Sequence, residues 1–214
     1  MLAAVILSGG SSSRMGSPKA LLAYQGRPFL EHLLEVTTHP KIGVRRVVLG
    51  AHAEPIAKNI SLAADEIVIN AEWEKGQLSS IQAAIRSLPA TKERLPTAAG
   101  LPAEAGLPQA TDGLLLCLID HPLISGALVN YLIEQFYEKR ANIVLPVYEG
   151  RRGHPVIFAA TLYDELLQAP ADKGARAVVW AHAGDVLEVP TEEEGCVLNL
   201  NDPETLLRAT GRAE

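Results

Sequence analysis

The chain has 214 residues, enough for one α/β domain with a sizeable core and short for two. Hydrophobic residues make up 48% and charged residues 21%, the balance of a globular protein, and no apolar run approaches the ~20 residues of a membrane span. A formal net charge of −6 argues against nucleic-acid binding by phosphate neutralisation, and the two cysteines, Cys117 and Cys196, lack the spacing of a metal site. Cys117, inside LLLCLI, reads as a buried thiol, and a cytoplasmic location is expected.

The opening MLAAVIL has neither a basic segment before it nor a small-residue cleavage site after it, and reads as a buried strand. Strands are predicted over Ala3–Leu7, Arg46–Leu49, Glu66–Ile69, Leu114–Ile119 and Ile143–Pro146, each short, apolar and continuous, as in parallel strands covered on both faces. Helices are predicted between them, over Phe29–Thr37, Pro55–Ile60, Ser79–Ser87 and Ala127–Lys139. The alternation implies right-handed crossovers and a single three-layer α/β/α, Rossmann-like domain with a mostly parallel sheet. Ligands collect at the carboxyl ends of such strands. Residues 90–112, with LP three times and little bulky apolar material, read as a flexible surface insertion.

The densest chemical signal directly follows the first strand, in LSGGSSSRMGSPK from Leu7 to Lys19. Gly9, Gly10 and Gly16 let backbone N–H groups approach an anion, Arg14 offers a planar donor fork, and Lys19 offers a mobile point charge. Oriented amides with two cations suit a triphosphate whose charge grows on departing pyrophosphate. The loop is neither a P-loop nor a dinucleotide fingerprint. The stretch from Leu7 and Ser8 through Leu22 resembles the molybdenum-cofactor nucleotidylyltransferases, whose signature reads L-A-A/G-G-x-x-x-R-M-G-x-x-K-x-L. Ser8 stands where alanine is usual. The resemblance implies a fold of the nucleotide-diphospho-sugar transferase type and runs to about residue 206.

Asp120, in LIDHP after the fourth strand, is placed to hold Mg²⁺ against the α-phosphate, and its counterpart in the family is the principal metal ligand. The resemblance also implies a second oxygen ligand from Asn199 or Asn201, in NLNDPE. Asn201 or Asp202 could equally cap the last helix, with Pro203 in its first turn. Asn70, Gln77 and Ser79 fall in the segment that lines the family's base and ribose pocket, although Ser79 or Ser80 could simply cap the helix there. Gly153, His154 and Pro155 match the cytidylyltransferase branch and imply an acceptor-side segment, with Arg151 and Arg152 either attracting its phosphate or facing solvent. DKGAR, Asp172–Arg176, matches the same branch, with Asp172 expected to cap the following helix.

The resemblance thus implies a Mg²⁺-dependent enzyme that moves a nucleoside monophosphate from a nucleoside triphosphate to the terminal phosphate of molybdopterin or the molybdenum cofactor. Gly9, Gly10 and Arg14 would hold the β- and γ-phosphates, Lys19 would steady the transition state, and Asp120 would carry the metal. CTP is the expected donor on the number of matching segments, with GTP next because Gly9 follows the guanylyltransferase form of the loop. A molybdoenzyme receiving the product is a further expected partner; nucleic acid and membrane are not. A sugar- or alditol-phosphate nucleotidyltransferase and a non-catalytic cofactor-binding relative stay open.

Overall fold

The computed structural model of the chain describes residues 1–12, 15–89 and 111–210. Strand β1 (Leu2–Ser8) leads to a short hairpin, β2 (Ala23–Tyr24) and β3 (Arg27–Pro28). Then come α1 (Phe29–Val36), β4 (Ile42–Leu49), α2 (Ala53–Asn59), β5 (Ile67–Ile69) and α3 (Gln77–Ser87). After residue 110 follow β6 (Gly113–Leu118), α4 (Gly126–Lys139), β7 (Ile143–Tyr148), β8 (Arg151–Arg152) and β9 (Val156–Ala159). The described chain closes with α5 (Tyr163–Gln168), α6 (Arg176–Ala181), β10 (Val186–Pro190) and α7 (Pro203–Thr210).

The main sheet runs β10-β7-β9-β6-β1-β4-β5, with β8 paired to β7. β1 lies at its centre, parallel to β4 and β6, while β9 runs antiparallel between β6 and β7. Alternate residues of β1 feed opposite layers, as the two-residue strand repeat requires. Leu2 and Ile6 pack with α1, α2 and α4 through Leu33, Ile56 and Leu132. Ala3, Val5 and Leu7 pack with α3, α5 and α6 through Ile85, Leu166 and Val178. Both faces are therefore covered, and the fold is the three-layer α/β arrangement expected. Each of these large buried side chains contributes roughly 1.5–3 kcal/mol by leaving water.

All five expected strands form. β4 starts earlier, at Ile42, where it pairs with Leu2 of β1, and it accommodates Arg45 because that side chain reaches the Glu66 carboxylate at 2.6 Å. Glu66 in turn accepts from Ala63 N, so β5 begins only at Ile67. Three expectations about caps are corrected or resolved. Helix α3 starts at Gln77 after Gly76, so neither Ser79 nor Ser80 caps it. Asp172 does not cap α6, which begins at Arg176 after Ala175 with no side-chain cap. Asp202, not Asn201, caps α7, accepting from Thr205 N at 2.8 Å.

The bulk of the expected insertion, residues 90–110, lies outside the described residues. Its last two residues are held in the fold. The Thr111 hydroxyl is buried 3.0 Å from that of Tyr163, and Asp112 binds the Met1 amino group at 2.5 Å and the Tyr137 hydroxyl at 2.9 Å. No helix among the described residues is long and apolar enough to cross a membrane.

Candidate active site at the carboxyl edge of the sheet

The loops leaving β1, β4, β5 and β6 meet at one edge because those strands are mutually parallel. The Gly9 carbonyl accepts from Ala51 N at 3.2 Å, and Asn70 N donates to Leu49 O at 2.8 Å. Gly50 seals the junction. A Cβ there would lie 2.3 Å from Gly9 O and 2.7 Å from Trp73 Cβ, so no larger residue lets these loops approach. The phosphate loop is further tied by Lys19 N donating to Ser12 Oγ at 3.1 Å and by a His52–Ser11 carbonyl bond at 2.7 Å.

Between these loops lies a cavity of 240 Å³. Gly9, Gly10, Lys19, Gln77 and Asp120, all expected site residues, line it together, with Leu7 at its floor. Arg14 lies outside the described residues. Ser8 ends β1 as a buried residue, and Gly16 takes a left-handed turn (φ 69°) away from the cavity wall.

Two expected pocket residues, Asn70 and Ser79, do not line this cavity. Asn70 is buried and donates to Ser79 Oγ at 2.8 Å and Ser80 Oγ at 2.9 Å, while its oxygen accepts from Glu72 N. Ser79 donates to the Glu72 and Gly76 carbonyls. These groups satisfy one another and brace the loop from beneath, as buried polar groups must. From that segment Gly76, Gln77 and Ser80 line the cavity, joined by Trp73, which sequence reasoning missed. The available signal was a tryptophan, in a chain with 5% aromatic residues, in a polar loop just past a strand end.

The carboxyl-terminal segment closes the site. Leu200 N donates to Asp120 O at 2.8 Å, and Leu200 and Leu206 pack on Phe29. Lys19 Nζ donates to Asn201 Oδ1 at 2.5 Å, so one candidate metal ligand is bonded to the Lys19 ammonium. The Asn199 side chain is exposed. Asp120 is the single carboxylate on the cavity wall, and among the described residues no cluster of three His, Cys, Asp or Glu side chains could hold a metal. One carboxylate with neighbouring amide oxygens fits a hard divalent cation that keeps water and phosphate ligands, and does not fit zinc.

Behind Asp120 two histidine rings lie 5.1 Å apart, those of His121 and His154. Both Nδ1 atoms are buried without a partner among the described residues. Burial holds His154 down to about 3, and His121 is also lowered by burial, against the opposing pull of Asp120. The pair is therefore neutral at pH 7 and adds no positive charge beside Asp120.

Gly153 and His154 line a second cavity of 510 Å³, whereas Pro155 is buried and does not. Gly153 has a packing reason as well: a Cβ would sit 2.5 Å from Cys196 O. The hairpin arginines lie apart from the first cavity. Arg151 donates weakly to Val197 O at 3.5 Å, and Arg152 pairs with Glu188 at 2.7 Å. The two cavities share Gly76 and Gln77.

A glycine-rich loop, a lysine and an aspartate at the carboxyl edge of such a sheet define the nucleotidyltransferase class. A sequence profile of the MobA-like NTP transferase domain matches residues 4–186, and the chain belongs to this family. A probable molybdenum cofactor guanylyltransferase of Mycobacterium avium (strain 104) is 30% identical over 216 residues, covering 99% of this chain and 96% of the relative. A nicotine blue oxidoreductase of Paenarthrobacter nicotinovorans is 32% identical over 181 residues, covering 80% of this chain and 78% of the relative. The crystal structure of Rv0371c from Mycobacterium tuberculosis H37Rv superposes with a TM-score of 0.74 at 25% identity, covering 99% and 97% of the two chains.

Proposed function

We propose that this nucleotidyltransferase moves a nucleoside monophosphate from a nucleoside triphosphate to the terminal phosphate of a molybdopterin-type acceptor, releasing pyrophosphate. The observation that carries the reading is the pair of cavities that share Gly76 and Gln77 as lining residues, one walled by Gly9, Gly10, Lys19 and Asp120 and the other by Gly153 and His154. An acceptor phosphate oxygen attacks the α-phosphorus, the bond to the β-phosphate bridging oxygen breaks, and pyrophosphate leaves. Such a displacement needs positioning and charge stabilisation, with no covalent nucleophile on the protein. The Gly9–Gly10 backbone and Arg14 hold the β- and γ-phosphates. Lys19, steered by Asn201, meets the charge that develops. Asp120, with an amide oxygen of Asn199 or Asn201, would hold Mg²⁺, which when bound neutralises phosphate charge.

CTP is the favoured donor because the segments GHP and GAR match the cytidylyltransferase branch. GTP is the second reading, favoured by glycine at position 9 and by the guanylyltransferase relative. A methyl group at position 9 would stand 3.0 Å from Ser80 Oγ and narrow the wall there. Gly9→Ala is accordingly expected to raise the ratio of CTP to GTP turnover; an unchanged ratio removes this residue from base selection.

The test is pyrophosphate release with Mg²⁺ and each of CTP, GTP, ATP and UTP, with and without molybdenum-loaded molybdopterin. Release that depends on the pterin is the expected result. Release with sugar or alditol phosphates instead transfers the reading to that acceptor class. An oxidoreductase, as one relative is named, would turn over a reduced redox cofactor and release no pyrophosphate.

A further inference from the structure

We infer that α6 and the turn before it form the acceptor-recognition wall, in which Trp180, Arg176 and Lys173 hold a flat heterocyclic ring bearing anionic groups. This rests on the reading of the 510 Å³ cavity as the acceptor side, and it assigns residues to which that reading gave no role. Three observations carry it. First, Arg176, Lys173 and Trp180 all line that cavity. Arg176 and Trp180 stand four residues apart on α6, hence side by side on one face.

Second, the cations differ in how they are engaged. Lys75 is paired with Glu72, and Arg152 with Glu188. Lys173 and Arg176 have no carboxylate within ion-pair distance among the described residues. Asp172 is the one carboxylate on the same wall. Two such cations at a cavity mouth, in a chain of net charge −6, suit an anionic ligand.

Third, the floor and the rim contrast. Leu116, Leu145, Val156 and Phe158 make an apolar floor, while Trp180 is 59% exposed at the side. A large indole left in water beside an apolar floor is the arrangement that a planar ring covers, by stacking and by cation–π contact with its neighbours. The volume falls within the range of small-molecule sites, roughly 300–1,000 Å³. A ligand lying there with its phosphate toward Gln77 would point that phosphate at the wall that both cavities share.

The test is calorimetric titration of a pterin carrying a phosphate monoester on its 6-substituent into protein saturated with a non-hydrolysable triphosphate. Trp180→Ala and Arg176→Ala are each expected to weaken pterin binding by about tenfold or more, and Trp180→Phe to restore most of the loss in the first. Triphosphate affinity should not move in any of these variants, whose altered side chains are exposed. Lys173→Ala should weaken the phosphorylated pterin more than its dephosphorylated form. Unchanged pterin affinity in Trp180→Ala and Arg176→Ala, or no pterin binding by the unaltered protein, overturns the assignment. If the unaltered protein binds the pterin through these residues and yet releases no pyrophosphate with any triphosphate, the wall stands and the transfer reading falls.

Discussion

The bond from Lys19 Nζ to Asn201 Oδ1 gives two residues linked roles and separates two explanations of Asn201. On the proposed mechanism Lys19→Ala removes charge stabilisation from the transition state and should lower kcat by about 10²–10³-fold, measured by pyrophosphate release. If Asn201 acts chiefly by steering Lys19, Asn201→Ala should cost less, the double variant should be no worse than Lys19→Ala, and the Mg²⁺ concentration for half-maximal rate should stay put. A rise in that concentration makes Asn201 a metal ligand. A second residue-scale consequence follows from His154, held to about 3 against about 6.5 for an unfolded histidine. Between those values the unfolded chain carries a proton that the folded chain does not. Stability is therefore fully present above pH 6.5 and falls as the pH drops toward 3, by up to about 1.4 kcal/mol per pH unit. Thermal melts from pH 7.5 to 4.5 should show this slope, and His154→Gln should flatten it. An equal slope in the variant assigns the acid sensitivity to other groups.

At the scale of elements, the site is a junction of loops whose closeness depends on Gly50. Gly50→Ala forces Gly9 or Trp73 to shift and should destabilise the fold by about 1–3 kcal/mol while raising KM for the triphosphate. Denaturant melts and initial rates check both, and a change in stability without a change in KM would uncouple the junction from the site. Much of this layer was legible in the sequence. Continuous apolar runs such as AAVIL and LLLCLI can only be strands buried on both faces, and the glycine-rich loop after the first of them carries its chemistry in plain sight. The antiparallel β9 was not legible, because VIFA is four residues long and follows a segment that reads as a site motif. Nor was β10, whose VLEVP alternates and lies at a sheet edge with Glu188 turned to Arg152. The division of labour around Asn70 was also invisible. Whether an asparagine faces a ligand or its own loop depends on hydroxyls that the helix brings nine and ten residues later.

At the scale of the whole molecule, two segments far apart in sequence complete one site. The loop after β1 and the segment before α7 meet through Lys19 and Asn201, 182 positions apart, and through the contacts of Leu200 and Leu206 with Phe29. The sheet itself depends on neither contact, since every strand from β1 to β10 lies before residue 191. A chain ended at residue 197 should thus lose only the far-ultraviolet signal of α7 while losing at least about tenfold in triphosphate affinity; full affinity would make the last segment dispensable. The same connection has a meaning during synthesis. The ribosome delivers the loop after β1 well before Asn201, so a growing chain can build the sheet before the two can meet. Triphosphate retention should accordingly appear on chains stalled with residue 201 outside the exit tunnel and be absent on chains stalled with that residue still inside.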